Sequence, residues 1–302
     1  MARDLTIVFG GSGDIGSVIV EHLKENKRHF LAPTSKQVDL TDADNTQNFF
    51  SSISESYSVV FAAFLDRRQG DNEQTMNLNL LMVDHIIKFA KPSSLVFLSS
   101  MDVYGKSPKL PITENTSTDD SSFYSRAKLF AEERLTQTFA ENISLIVLRL
   151  PGVYGGHGPR NAALDRILAN GFKERLVDIG GAGSLLRDWI YAGELARFLM
   201  EWLQNPSSGT FNFVTGESWT IDRYVSECLS ELGEIKHLVT VIEETKRHQY
   251  GADHIFDNQS FSAAFNSWKF ENRLSSLKTF SKLVQDHINN LKIDSTKLVS
   301  NK

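Results

Sequence analysis

The chain has 302 residues, 41% of them hydrophobic, with 32 Lys and Arg against 37 Asp and Glu for a net charge of −5, and a single cysteine. At roughly 100–200 residues per domain this is two domains or one large α/β unit. The longest apolar run, Val59 to Leu65, falls far short of the roughly 20 residues a membrane span requires, and the short run after Arg3 and Asp4 breaks at Gly10, so neither a membrane protein nor a secreted precursor is expected. Cys228 alone excludes an internal disulfide or a cysteine-built metal cluster and agrees with a reducing, cytoplasmic location; no metal site is expected. No basic block occurs, which argues against nucleic acid or an anionic membrane surface as partner and leaves any small anion to be met by a few placed residues.

In chain order, short runs rich in Val, Ile, Leu and Phe alternate with helical-period segments, the pattern of a parallel sheet built from βαβ units. The runs are Leu5–Phe9, Phe30–Ala32, Val59–Phe64, Leu95–Leu98 and Leu145–Leu150. Between them, Ile15, Val18, Ile19 and Leu23 share one helix face, and so do Leu78, Leu81, Met82, His85, Ile86 and Phe89, the latter stopped by Lys91-Pro92. A further helix is predicted over Tyr124–Phe139. After Leu150 the glycine-rich stretch Pro151 to Pro159 opens a less regular half, with helices predicted near Ala162–Asn170, Gly193–Leu203, Thr220–Leu232 and Leu274–Leu291 and strands near Leu176–Ile179, Thr210–Val214 and His237–Val241. The polar residues from Asp294, a tail over 294–302, are expected to be disordered.

The first run leads directly into Gly10-Gly11-Ser12-Gly13-Asp14-Ile15-Gly16 and then a helix. Glycines at 10, 13 and 16 permit a tight turn, a close approach of backbone to a pyrophosphate, and close helix-on-sheet packing, while the helix N-terminus offers N–H donors and partial positive charge. At the first strand–helix turn of a βαβ chain this spacing predicts a dinucleotide site. Ser12, Asp14 and Ile15 in the turn, and Ala62 and Ala63 in the third apolar run, belong to the same expected binding set. The end of the second strand distinguishes the dinucleotides: an acid there accepts from a ribose 2′-hydroxyl, a cation meets a 2′-phosphate. The sequence reads Thr34-Ser35-Lys36, with no acid before Asp39, which favours NADP(H) over NAD(H). Asp39 and Leu40 are candidates to cover the adenine edge.

Tyr124 and Lys128 fall at i and i+4 on one helix face, 24 residues after Ser99-Ser100 at the end of the fourth strand, and strand C-terminal ends are where ligands bind in open α/β sheets. A cation about 5 Å from a phenol, at an effective dielectric of about 20, favours phenolate by about 3 kcal/mol, which predicts a phenol pKa lowered by about 2. Tyr124 is therefore the expected general acid/base, with Lys128 as its electrostatic support.

The glycines at 10, 13 and 16, Ser99 to Gly105, the Tyr124…Lys128 pair, Arg149…Val153-Tyr154-Gly155 and Arg187-Asp188-Trp189-Ile190-Tyr191 resemble, in order, the motifs of extended short-chain dehydrogenases/reductases of the nucleotide-sugar epimerase/dehydratase type, over about residues 5–290. The resemblance implies a doubly wound, parallel-sheet Rossmann domain over 1–150, a return to it at about 184–214, and a smaller α/β substrate domain mainly over 151–293. It further implies that Ser100 orients the sugar oxygen, that Lys128 also holds the nicotinamide ribose, that Asn77 supports the site from its helix, and that Arg187 meets the sugar diphosphate; by charge alone Arg187 is equally a structural ion-pair residue, and Arg149 reads as structural. Arg160 is a second candidate for the diphosphate. Family members commonly pair through two helices, so a homodimer is expected by analogy.

Departures narrow the chemistry. Dehydratases of this type resemble one another in an acidic residue just after the site Ser/Thr, where this chain has Met101 and then Asp102; a methionine moves no proton. Tyr154-Gly155-Gly156-His157 is similar to a segment of GDP-fucose synthase-like epimerase-reductases, which makes His157 and Asp102 candidate acid/base partners at a sugar carbon. The expected activity is NADP-preferring reduction of a 4-keto nucleoside-diphosphate sugar, with or without epimerisation at an adjacent carbon. An NAD-dependent 4-epimerase and a non-catalytic NADP-binding redox sensor are the alternatives.

Overall fold

The computed structural model describes residues 5–156, 163–174, 177–179, 182–231, 239–240 and 251–299. The first half runs β1 (Leu5–Phe9), α1 (Asp14–Glu25), β2 (Phe30–Leu31), α2 (Ala43–Ser51), β3 (Tyr57–Phe61), α3 (Glu73–Phe89), β4 (Ser94–Ser100), α4 (Phe123–Phe139) and β5 (Ser144–Leu150), with single 3₁₀ turns at Arg67–Gln69 and Met101–Tyr104. The second half continues with β6 (Val153–Tyr154), α5 (Ala163–Glu174), β7 (Val177–Asp178), β8 (Leu186–Arg187), β9 (Ile190–Tyr191), α6 (Ala192–Trp202), β10 (Gly209–Asn212), β11 (Trp219–Thr220), α7 (Ile221–Glu231), β12 (Val239–Thr240), α8 (Gln259–Ala264) and α9 (Arg273–Val299).

Six strands form one parallel sheet in the order β10-β5-β4-β3-β1-β2. The continuous apolar runs are explained by register. Ile7, Val59, Leu95 and Leu145 lie in one row and pack with α2, α3 and α4; Val8, Val60, Val96 and Ile146 lie in the next row on the opposite face, beneath α1 and α6. Both faces are covered, so both parities of each strand must be apolar. A third cluster joins Tyr154, Trp189, Tyr224 and Phe280 among the later elements.

Chain direction makes the site. From β1 the sheet grows to one side through β2 and to the other through β3, so the crevice beyond the carboxyl ends of β1 and β3 is a switch point, the place where open α/β sheets bind ligands. Two expectations change. The polar α2, capped by Asp42 accepting from the Asn45 N–H, stands in a stretch for which no helix was predicted, and α9 carries the backbone as helix to Val299, through the residues expected to be disordered from Asp294. No helix among the described residues is long and apolar enough to cross a membrane.

Candidate active site

Gly10, with φ +84°, ends β1 at the switch point, and a side chain there would come within 2.7 Å of the Ala62 and Ala63 backbone. At Gly16 a Cβ would lie 2.0 Å from the Gly10 carbonyl oxygen, so α1 starts directly against the turn. The N-cap, Gly13, has no side chain to occupy the first N–H groups of α1, whereas α2, α3 and α4 are capped by Asp42, Asn72 and Ser122. Those donors face a groove of about 490 Å³ whose walls include Gly10, Gly13, Asp14, Ile15, Gly16 and Ala62 on one side and Ser99, Tyr124 and Lys128 on the other. A bare helix N-terminus beside a glycine turn fits a dinucleotide pyrophosphate. Ser12 is exposed at the tip of the turn.

The opposite wall is made of side chains. Ser100 ends β4; its Oγ accepts from the Asp102 N–H at 3.2 Å, and Ser100 and Tyr124 line one wall together. Tyr124 stands at the start of α4, where its own N–H donates to Asp71 at 2.9 Å, and Lys128 follows one turn later, donating to the Leu98 carbonyl at 2.7 Å. Burial, then the carboxylates of Asp102 and Asp66, push the Tyr124 hydroxyl above its ordinary value, with the nearby Ser100 hydroxyl pulling the other way. This reverses the expected lowering. The reason is the phenol's own burial; Lys128 is buried as well, its ammonium pushed down to about 7, with its nitrogen 5.7 Å from the Tyr124 ring centre and its hydrogen bond spent on β4.

Behind this wall, Glu132 lies one further turn along α4. Its carboxylate accepts from Arg149 Nη2 at 2.7 Å and from Arg149 Nε, and takes the Ser99 hydroxyl as well. Arg149 also donates to the Tyr104 hydroxyl, which in turn donates to Asn212 at 2.6 Å. Arg149 is thus a structural residue, as read from the sequence, locking β5 and β10 to the helix that carries Tyr124.

Asp102 forms an ion pair with Arg67 at 3.0 Å, and the Arg67 guanidinium covers the Tyr124 ring at 5.5 Å. Asn77 is exposed on α3; the buried asparagine is Asn79, whose amide donates to the Leu65 carbonyl and accepts from the Leu65 N–H. Arg187 spends Nη1 on the carbonyls of Leu186 and Ala252 and is not among the residues lining the groove. Thr34, Ser35 and Lys36 form an exposed turn beyond β2, in which Thr34 donates to Gln37. Asp39 accepts from the N–H and hydroxyl of Thr41, and Leu40 is a core residue with 4% of its surface exposed, not a groove-lining one. His157 and Arg160 lie outside the described residues.

Arg68 escaped the sequence reading. Asp66 grips its guanidinium, at 2.9 Å through Nε, and Arg68 lines both the large groove and a neighbouring one of about 220 Å³ that is bounded by Ser100, Tyr124, Pro151 and Gly156. Consecutive arginines in a loop carry no periodicity, and their nearness to Gly70 and Asn72 marks the segment only as a turn. The capping box of the 3₁₀ turn, Asp66 with Gln69, was the available signal.

Solved structures share this architecture. The UDP-glucose 4-epimerase of Thermus thermophilus, in complex with NAD, superposes with a TM-score of 0.77 at 19% identity, over 93% of this chain and 99% of that one. The GDP-mannoheptose C4 reductase MlghC of Campylobacter jejuni, with NADP bound, gives 0.74 at 17% identity, over 95% and 99%. A GDP-6-OMe-4-keto-L-xylo-heptose reductase, also from C. jejuni, gives 0.75 at 16%, over 95% and 99%. Residues 6–219 match the model of the NAD dependent epimerase/dehydratase family, and the chain belongs to that family.

Proposed function

We propose that the protein reduces a 4-keto nucleoside-diphosphate sugar with NADPH, with or without epimerisation at an adjacent carbon. The observation that carries this reading is the convergence of Ser100, at the end of β4, and Tyr124, at the start of α4, on a groove that also meets the bare N-terminus of α1. When bound, the nicotinamide supplies the hydride. The chain's own groups do the rest. Ser100 and Tyr124 hold the sugar oxygen, and Tyr124 gives it a proton as the carbonyl becomes an alcohol. A phenol kept protonated by burial and by Asp102 and Asp66 suits the donor role of a reductase better than the proton-accepting role an oxidation demands. Lys128 is the candidate for the ribose hydroxyls, and Arg68 offers a cation to phosphate where the two grooves meet.

NADP is favoured because the acid nearest the end of β2, Asp39, has its carboxylate engaged by Thr41, while Lys36 is exposed there. Asp102, held by Arg67, and His157 are the proposed acid/base pair for any epimerisation. Two copies pairing into a homodimer, a cytoplasmic location and a division into cofactor and substrate domains near residue 150 complete the reading.

The test has two arms. A thermal-shift panel of GDP, dTDP, UDP and CDP with and without NADPH identifies the base; a ligand at 100 times its Kd stabilises by about 2.7 kcal/mol. With the matching 4-keto sugar nucleotide, NADPH is consumed stoichiometrically, and Lys36→Ala narrows the NADPH-over-NADH preference about tenfold, the scale of one charge-assisted hydrogen bond. A cofactor that stays bound through purification and is not consumed replaces this reading with the 4-epimerase; dinucleotide binding with no turnover of any sugar nucleotide replaces it with the redox sensor.

A further inference from the structure

Lys128 is covered more completely than a residue that must greet a ribose. Its nitrogen lies 3.7 Å from the centre of the Phe64 ring and 4.8 Å from that of Phe97, with one N–H given to Leu98, and 4% of the residue is exposed. An ammonium has three N–H donors. Leu98 takes one, and two aromatic faces meet the remaining charge, an attraction that strengthens when water is excluded. The Phe64 ring is also held from its sides, edge-on to Phe97 at 5.9 Å and to Tyr124 at 6.1 Å. The following residue is pinned: the Asn79 amide, 1% exposed on α3, closes both polar groups of the Leu65 backbone at 2.7 and 2.9 Å. Phe64 itself lines the large groove beside Gly10, Gly13 and Lys128.

We propose that Phe64 is a plug on the cofactor site: its ring fills the place over Lys128 that a ribose hydroxyl enters, and dinucleotide binding requires the ring to swing out. This rests on the reading that the groove takes NAD(P)(H). The ring then acts as a toll on affinity, because the apparent Kd is the intrinsic Kd divided by the fraction of molecules in the open state. A ring in place nine times in ten weakens binding about tenfold. The same ring shields the lysine nitrogen from solvent.

The experiment measures Lys128 acetylation by a water-soluble acylating reagent, read by peptide mass spectrometry, in the cofactor-free protein and in Phe64→Ala and Phe64→Leu. Fluorescence titrations with NADPH accompany it. Melting curves establish that each variant is folded, and Phe64→Leu retains bulk at the site. The expected result is slow labelling of Lys128 relative to Lys36 in the unaltered protein, labelling about tenfold faster in Phe64→Ala with Phe64→Leu between them, and NADPH bound about tenfold more tightly by Phe64→Ala. Equal labelling in all three proteins overturns the plug. Weaker NADPH binding by Phe64→Ala also overturns it, since the ring is then a wall the cofactor rests on. Failure of every protein to bind NADPH or NADH strikes instead at the parent reading, and the labelling rates still decide whether Phe64 guards the lysine.

Discussion

One wall of the groove is backbone and the other is side chain. On the first, Gly10, Gly13 and Gly16 bring the start of α1 against β1 and β3 with no atoms to spare; on the second, Ser99, Tyr124 and Lys128 reach inward from β4 and α4, with Ser100 in the adjoining groove, held from behind by Glu132 and Arg149. The first wall therefore fails when an atom is added and the second when one is removed. A sequence reveals the two differently as well: the backbone wall appears as glycine spacing, while the side-chain wall appears only when two distant stretches are taken together.

Substitutions test that asymmetry. Tyr124→Phe deletes one oxygen from the side-chain wall; turnover of the true substrate falls about 10²–10⁴-fold, the usual worth of a positioned general acid, with melting little changed. Retention of full turnover excludes Tyr124 as the proton donor. Glu132→Ala removes the partner of a guanidinium whose side chain is only 10% exposed and costs about 3–5 kcal/mol in denaturant unfolding, because an uncompensated buried charge remains. The exposed Arg67–Asp102 pair, 44% and 35% exposed, gives the contrast: breaking it costs no more than about 1 kcal/mol of stability. Gly16→Ala attacks the backbone wall by addition. Its Cβ meets a carbonyl oxygen at 2.0 Å, so the turn must shift, at about 1–3 kcal/mol and with loss of dinucleotide affinity by titration; Gly13→Ala, with 3.3 Å to the same oxygen, is milder.

A further test reads a slope. Burial holds Lys128 at about 7 in the fold against 10.5 as the reference, so between these values the unfolded chain binds more protons and this residue's contribution to stability rises with pH, by at most about 1.4 kcal/mol per pH unit. Below pH 7 both states are charged and the contribution is flat. Melting of the unaltered protein should therefore gain on Lys128→Met from pH 7 to 10; parallel curves would show that the lysine is not desolvated.

The glycine turn and all five early strands were legible because each follows from local spacing, and the rule that ligands sit at strand ends led to Ser100 and Tyr124, which line one groove. The network of Ser99, Glu132, Arg149, Tyr104 and Asn212 was not, since it joins α4, β5 and β10 across more than a hundred residues of chain. Asn79 took the supporting place expected of Asn77 for a simple reason: two positions along a helix turn a side chain to another face. The direction of the Tyr124 shift was misjudged because a charge pair was weighed without the burial of the phenol and its cation. Charge spacing is written in sequence; solvent is not.

The outer edge of the sheet on the β5 side is closed by β10, whose residues Gly209–Asn212 are made long after Leu150. At about 5–20 residues per second, residues 151–208 occupy a ribosome for roughly 3–12 s, and during that interval β5 presents a complete row of unpaired N–H and C=O groups. The nascent chain is thus at its stickiest midway through synthesis. In a fragment ending at Leu150 that edge would stay open, while extension past Asn212 supplies the missing strand in cis.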